Sequence, residues 1–125
     1  MKTRFVYVGI RVKDLQESIE FYTKLLEMKV VGDNNFEQTK GEIIYLRSEE
    51  GNFSLELNYY HEDSPHNTEY VVGEGLDHLA FKVDNLDKAL EEAKSFGHST
   101  VLEVQSRGQR WAYIEDPNGI WIELY

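Results

Sequence analysis

The 125-residue chain contains no cysteine. That excludes disulfides and any metal site built on thiolates, and it leaves the redox compartment unread. Positive charge is scarce as well: 13 Lys and Arg stand against 23 Asp and Glu, for a formal net charge of −10. Nucleic-acid surfaces neutralise phosphates with Lys and Arg, so this balance argues against a nucleic-acid partner and mildly against large polyanionic ligands. No apolar run approaches the ~20 residues that a bilayer-spanning helix needs, so no membrane partner is expected. The opening Met1-Lys2-Thr3-Arg4 leads into alternating polarity and not into the apolar core of a signal peptide, and the expected address is cytoplasmic. What remains is ordinary for a globular chain, with 41% hydrophobic and 13% aromatic residues. The length suits one domain with a working core.

The chain writes one pattern twice. Arg4 to Leu15 lies over Gly75 to Leu86, so that Tyr7 meets His78, Arg11 meets Lys82, Val12 meets Val83 and Leu15 meets Leu86. Each copy reads as a strand running into a helix. Asp14 caps the first helix, with Glu17 three residues on to complete a capping box, and Leu15, Ile19, Tyr22 and Leu26 recur at helical spacing through about Met28. Asn85 caps the second, with Leu86, Leu90, Ala93 and Phe96 as its apolar stripe and Gly97 as its stop. Three strands are expected after each helix, near 29–38, 42–48 and 52–60, then near 99–104, 110–114 and 120–125. Asp116-Pro117-Asn118-Gly119 is a turn with Pro placed to start it and Gly to finish it. The polar stretch from His61 to Gly75 reads as a linker. The order is therefore βαβββ, linker, βαβββ.

Alternation sorts the strand faces. Leu79, Phe81 and Val83 belong to the core side, as do Phe53, Leu55 and Leu57 in the first half and Ile120, Ile122 and Leu124 in the second. Tyr7, Glu56, His78 and Glu123 then occupy equivalent outward positions on first and last strands. Two readings of that face stand side by side. Antiparallel sheets often leave one face wet, and wet faces carry charge. Alternatively, Glu56, His78 and Glu123 supply the imidazole and carboxylates that suit Zn, Ni, Mn or Fe(II), with Tyr60, Trp121 and Tyr125 forming the walls of a pocket. His61, His66 and His98 lie in or beside loops and read as surface residues.

With these residues in view, the chain resembles the vicinal oxygen chelate superfamily, which includes glyoxalase I, methylmalonyl-CoA epimerase, ring-cleaving dioxygenases and antibiotic-binding resistance proteins. The carriers are Val8 to Leu15 with Phe21-Tyr22, Asp77 to Val83, and Asp116 to Leu124, so the resemblance spans Val6 to Leu124. It implies an α+β fold of two tandem βαβββ modules, residues 1–60 and 75–125, forming a curved mixed sheet around a cleft. These would make a single domain, 1–125, with modules at 4–60 and 76–125 and a linker at 61–75. It also implies metal ligands at Tyr7, Glu56, His78 and Glu123. Glyoxalase I-like members are similar in carrying Glu at the Glu56 place and, at the Arg11 place, an Arg that contacts the carboxylate of glutathione. Two positions depart from them. Tyr7 stands where four-ligand members have His or Gln, and Tyr60 where an Asn helps to hold glutathione. Tyr7 is accordingly expected to line the pocket and to leave three ligands with open water positions.

The implied activity is that of a metal-dependent lyase or isomerase of glyoxalase I type, acting on a small α-hydroxycarbonyl or thiohemiacetal. The divalent metal (Ni, Zn, Mn or Fe) would act as Lewis acid for an enediolate, and a carboxylate would move the proton. Glu123 is the expected base, with Glu56 its rival; Arg11, Tyr60, Trp121 and Tyr125 are the expected substrate contacts, and a homodimer the expected assembly. The other class to weigh is a non-catalytic small-molecule binding protein of the same fold, favoured by the aromatic face and the acidic charge. A ring-cleaving dioxygenase is disfavoured, because two histidines and a carboxylate do not assemble on these positions.

Overall fold

Strand pairing turns the two written copies into two sheets. The computed structural model describes residues 2, 7–37, 39–74, 76, 78–106 and 108–125. Expectations that fell on residues 4–6, Gln38, Gly75 and Asp77 lie outside the described residues. The chain divides into two compact units, Met1–Tyr70 and Val71–Tyr125. The stretch from 61 to 75 is thus shared out between them, the part through Tyr70 belonging to the first.

The first unit runs β1 (Tyr7–Arg11), α1 (Leu15–Glu20) with a π-helical turn (Phe21–Leu25), β2 (Lys29–Phe36), β3 (Gly41–Arg47) and β4 (Ser54–Tyr60). Its sheet order is β1-β4-β3-β2, with β1 parallel to β4 and the other pairs antiparallel. The second unit repeats this as β5 (His78–Phe81), α2 (Leu86–Ser95), β6 (Leu102–Ser106), β7 (Gln109–Glu115) and β8 (Trp121–Leu124), in the order β5-β8-β7-β6 with β5 parallel to β8. The βαβββ order read from the sequence is therefore present in each half, as a mixed four-stranded sheet with one helix.

Both helices start where the caps place them. The Asp14 carboxylate accepts the Glu17 amide at 2.9 Å, and the Asn85 side chain accepts the Lys88 amide at 3.0 Å. The cores then form between helix and sheet. Ile10, Phe21, Tyr22, Leu25, Leu46, Leu55 and Leu57 are buried in the first unit, and Ala93, Ala112, Ile114, Ile122 and Leu124 in the second.

Three expectations shift at element ends. The first helix stops at Leu25 and not near Met28, because Glu27 takes a left-handed φ of 53°. Its buried positions become Ser18, Phe21, Tyr22 and Leu25, while Leu15, Ile19 and Leu26 are only half-buried. The cause is local: the Thr23 hydroxyl donates to the Ile19 carbonyl at 2.7 Å, and Leu26 N–H reaches back five residues to Phe21. Such back-bonding opens the ladder into a wider turn and rotates the stripe. Phe53 and Phe96, both assigned to core faces, are 59% and 49% exposed. Phe53 precedes the first residue of β4 and Phe96 follows the last of α2, so neither inherits a packed face. Finally, β6 begins at Leu102, three residues later than 99.

The turn from β7 to β8 is a buried polar knot. Asp116 Oδ1 accepts the amides of Asn118 and Ile120, each at 2.8 Å, and Asp116 Oδ2 accepts Asn118 Nδ2 at 2.8 Å. Both side chains are almost fully buried. Gly119 holds φ 83°, a left-handed conformation that favours glycine, and a Cβ there would press on the Val72 side chain at 3.1 Å.

Candidate functional site

The register of each sheet decides which outward side chains are neighbours. In the second unit Ala80 pairs with Glu123, His78 with Trp121, and Tyr113 with Glu123 across β8 and β7. Partners opposite each other share a face, so His78, Trp111, Tyr113, Trp121 and Glu123 form one patch. It is tightly connected. His78 Nε2 lies 3.2 Å from Glu123 Oε2, and the Tyr113 hydroxyl donates to that same oxygen at 2.9 Å. Trp111 Nε1–H donates to the Tyr113 oxygen at 3.2 Å. The Tyr113 ring meets His78 edge-on at 5.5 Å and Trp121 at a tilt at 5.4 Å. Trp121 is partly exposed and Tyr125, past the end of β8, more so.

The first unit shows the same frame with other side chains. Gly9 pairs with Glu56, Tyr7 with Ser54 and Arg11 with Asn58, while Tyr45 stands opposite Glu56 on β3. A Cβ on Gly9 would press on Asn58 Nδ2 at 3.1 Å, so the bare glycine leaves room for that side chain, while Glu56 Oε2 at 3.7 Å would be in ordinary contact. Partial burial raises the pKa of the Glu56 carboxyl above the ordinary carboxylate value, and its hydrogen bond with Asn58 opposes that without cancelling it. Tyr7 is half-exposed, and no hydrogen bond joins it to Glu56 among the described residues. Tyr60 helps to line a cavity of about 240 Å³ with Phe36, Thr39, Ile43, Asn58 and Tyr59.

Arg11 is engaged locally. Its guanidinium donates to Thr68 Oγ1 at 3.2 Å, Asn67 Oδ1 at 3.0 Å and the Thr68 carbonyl at 2.6 Å, and it lies 5.7 Å from the Tyr70 ring centroid. It therefore ties the segment 67–70 to β1. Of the four expected metal ligands, His78 and Glu123 come together in the second unit, while Tyr7 and Glu56 stand on the equivalent face of the first. Among the described residues no three His, Asp or Glu side chains gather as a metal cage would. Sequence reasoning missed Tyr113 and Trp111. The period-two alternation of β7 and the turn at Asp116 would together have placed both on the Glu123 face.

Comparison with known proteins agrees with the fold. Residues 4–124 match the Glyoxalase/Bleomycin resistance protein/Dioxygenase superfamily. The chain is 31% identical to a lactoylglutathione lyase of Escherichia coli O157:H7 over 97% of its own length and 90% of that protein. It is 32% identical to a lactoylglutathione lyase of Arabidopsis thaliana over 97% of its length, though it spans only 43% of that relative. Among solved structures, the trypanothione-dependent glyoxalase I of Leishmania major superposes with a TM-score of 0.78 at 27% identity, over 98% of this chain and 86% of that one.

Proposed function

The chain belongs to the Glyoxalase/Bleomycin resistance protein/Dioxygenase superfamily, and on that premise we propose that it is a metal-dependent lyase or isomerase of glyoxalase I type. The proposed substrate is a small α-hydroxycarbonyl or thiohemiacetal. The observation that carries the reading is the convergence of His78 Nε2 and the Tyr113 hydroxyl on one oxygen of Glu123, on a face walled by aromatic rings. Relatives named lactoylglutathione lyase at about this chain's length support it.

The donors present suit a divalent ion. They comprise an imidazole, two carboxylates and a phenol, with no thiolate, the set that Ni, Zn, Mn or Fe(II) accepts. Glu56, His78 and Glu123 would hold the ion, with Tyr7 as a pocket wall or a fourth donor. When bound, the ion would supply Lewis acidity that makes a C–H beside a carbonyl easier to deprotonate. The remaining steps fall to the protein. Glu123 takes the proton from one carbon and returns it to the adjacent one, so the substrate isomerises with no atoms gained or lost. His78 Nε2 and the Tyr113 hydroxyl both meet Oε2, which leaves Oε1 to face the substrate proton. Glu56, whose proton affinity burial has raised, is the alternative base. Trp121, Tyr125 and Tyr60 exclude water around the reacting carbons, and Arg11 borders the substrate through the segment that it anchors. A homodimer in the cytoplasm is the proposed form. Among the described residues no helix is long and apolar enough to cross a membrane.

The aromatic patch and the net charge of −10 also favour a second reading, a binding protein that sequesters a cationic small molecule. His78→Ala separates the two. We expect the variant to fold and to lose stoichiometric metal, measured by elemental analysis after dialysis. Unchanged metal content, or none in the parent protein, would favour the binder.

A further inference from the structure

Glu123 is not held by His78 alone. Behind it stands a hydrogen-bonded line that reading the strands singly did not show: Trp111 Nε1–H to the Tyr113 oxygen at 3.2 Å, then the Tyr113 O–H to Glu123 Oε2 at 2.9 Å. The polarity of this line follows from its members. An indole nitrogen only donates and an ionised carboxylate only accepts. The Tyr113 oxygen must therefore accept from Trp111, and its hydrogen points to Glu123. The tyrosine ring is fixed as well, between the edge of His78 at 5.5 Å and Trp121 at 5.4 Å.

The first unit shows that this line is not a by-product of the fold. Tyr45 occupies the matching place, directly opposite Glu56, yet no hydrogen bond joins the two among the described residues. The difference has a visible origin. Opposite Tyr45 on β2 is Gly32, and the Tyr45 ring lies across it, with Cδ2 3.3 Å from where a Cβ would be. Opposite Tyr113 on β6 is Leu102, which carries a side chain where Gly32 has none. Ile43 stands where Trp111 stands and has no donor to offer.

We propose that Tyr113, oriented by Trp111, is the positioning residue for Glu123: it fixes Oε2 and so presents Oε1 to the substrate. This rests on the lyase reading for its catalytic part only, because the positioning itself is a property of the unloaded protein. The test uses Tyr113→Phe and Trp111→Phe in the full chain. Loss of a hydrogen-bonding partner behind a metal-ligating carboxylate costs about 10–100-fold in metal affinity or activity. Tyr113→Phe should therefore weaken Zn(II) and Ni(II) binding, measured by calorimetric titration, by about tenfold or more. Its kcat should fall by a similar factor with KM little changed, a split that a merely loosened fold would not give. Trp111→Phe should do the same more weakly. In metal-free protein with 13C-labelled glutamate, the Glu123 carboxyl resonance should move in Tyr113→Phe and less in Trp111→Phe. A carboxyl signal that stays in place overturns the proposal whatever the activity. So does a moved signal with unaltered metal affinity and kcat. If the parent protein turns over nothing, the lyase reading falls, and the carboxyl signal and Zn(II) affinity still decide for or against positioning by Tyr113.

Discussion

The two units share a frame and differ in what stands on it. Each puts a glutamate on its last strand, a small residue opposite it on the first strand and a tyrosine opposite it on the third. In the second unit the glutamate is engaged by His78 and Tyr113. In the first, His is replaced by a half-exposed Tyr7, the tyrosine leans over Gly32, and burial raises the pKa of the Glu56 carboxyl. One topology thus yields a carboxylate held by donors and a carboxylate set among fewer of them. The lesson is that repeat symmetry fixes where a side chain starts, while its neighbours across the ladder decide what it does.

The frame itself should be equally strong on both sides. Leu57 and Leu124 occupy matching positions, opposite Ile10 and Phe81, and both are essentially inaccessible. Leu→Ala at either should cost about 2–5 kcal/mol in chemical denaturation. A cost confined to one would break the equivalence. The hairpins before the last strands are expected to differ. Asp116→Ala removes three bonds from a buried turn and should cost about 2–3 kcal/mol, whereas Ser48→Ala, in the exposed loop of the first unit, should stay within about 0.5 kcal/mol. Equal costs would mean that the Asp116 network does not pin the register of β8.

The smallest effect concerns the two carboxylates in metal-free protein. Because burial raises the Glu56 pKa, the folded chain binds that proton more tightly than the unfolded chain does. The charge therefore costs stability above the unfolded carboxyl pKa of about 4.3. That cost disappears as pH falls below it. Glu56→Gln should stabilise the metal-free fold by a few tenths of a kcal/mol near pH 7 and by nothing near pH 3, read from thermal melts across pH. Glu123→Gln should show no such gain, since it weakens the bond from Tyr113. The opposite ranking would remove the electrostatic part of the comparison.

Much of the frame was legible because its signals are local. The caps at Asp14 and Asn85, the alternation in β4 and β8, and the Asp116 turn each need only a few neighbouring residues. The misplacements of Phe53 and Phe96 came from extending a pattern one residue past the element that sustains it. The π-helical turn depends on one threonine hydroxyl competing for a carbonyl, which no periodicity records. The bonds from Arg11 to Asn67 and Thr68 were not legible, because the polar segment 67–70 gives no sign of folding back onto β1. Tyr113 was missed because its role appears only when β7 and β8 are set in register.

The central claim is proton transfer at Glu123, and solvent-isotope exchange tests it most directly. Protein loaded with Ni, Zn, Mn or Fe(II) is incubated in deuterium oxide with hemithioacetals of methylglyoxal and several thiols. Product and recovered substrate are then read by NMR. The account predicts metal-dependent deuterium at the carbon beside the carbonyl, and a loss of several orders of magnitude in Glu123→Gln that still retains some metal. No exchange with any metal or thiol would contradict it and leave the small-molecule binding protein as the better description.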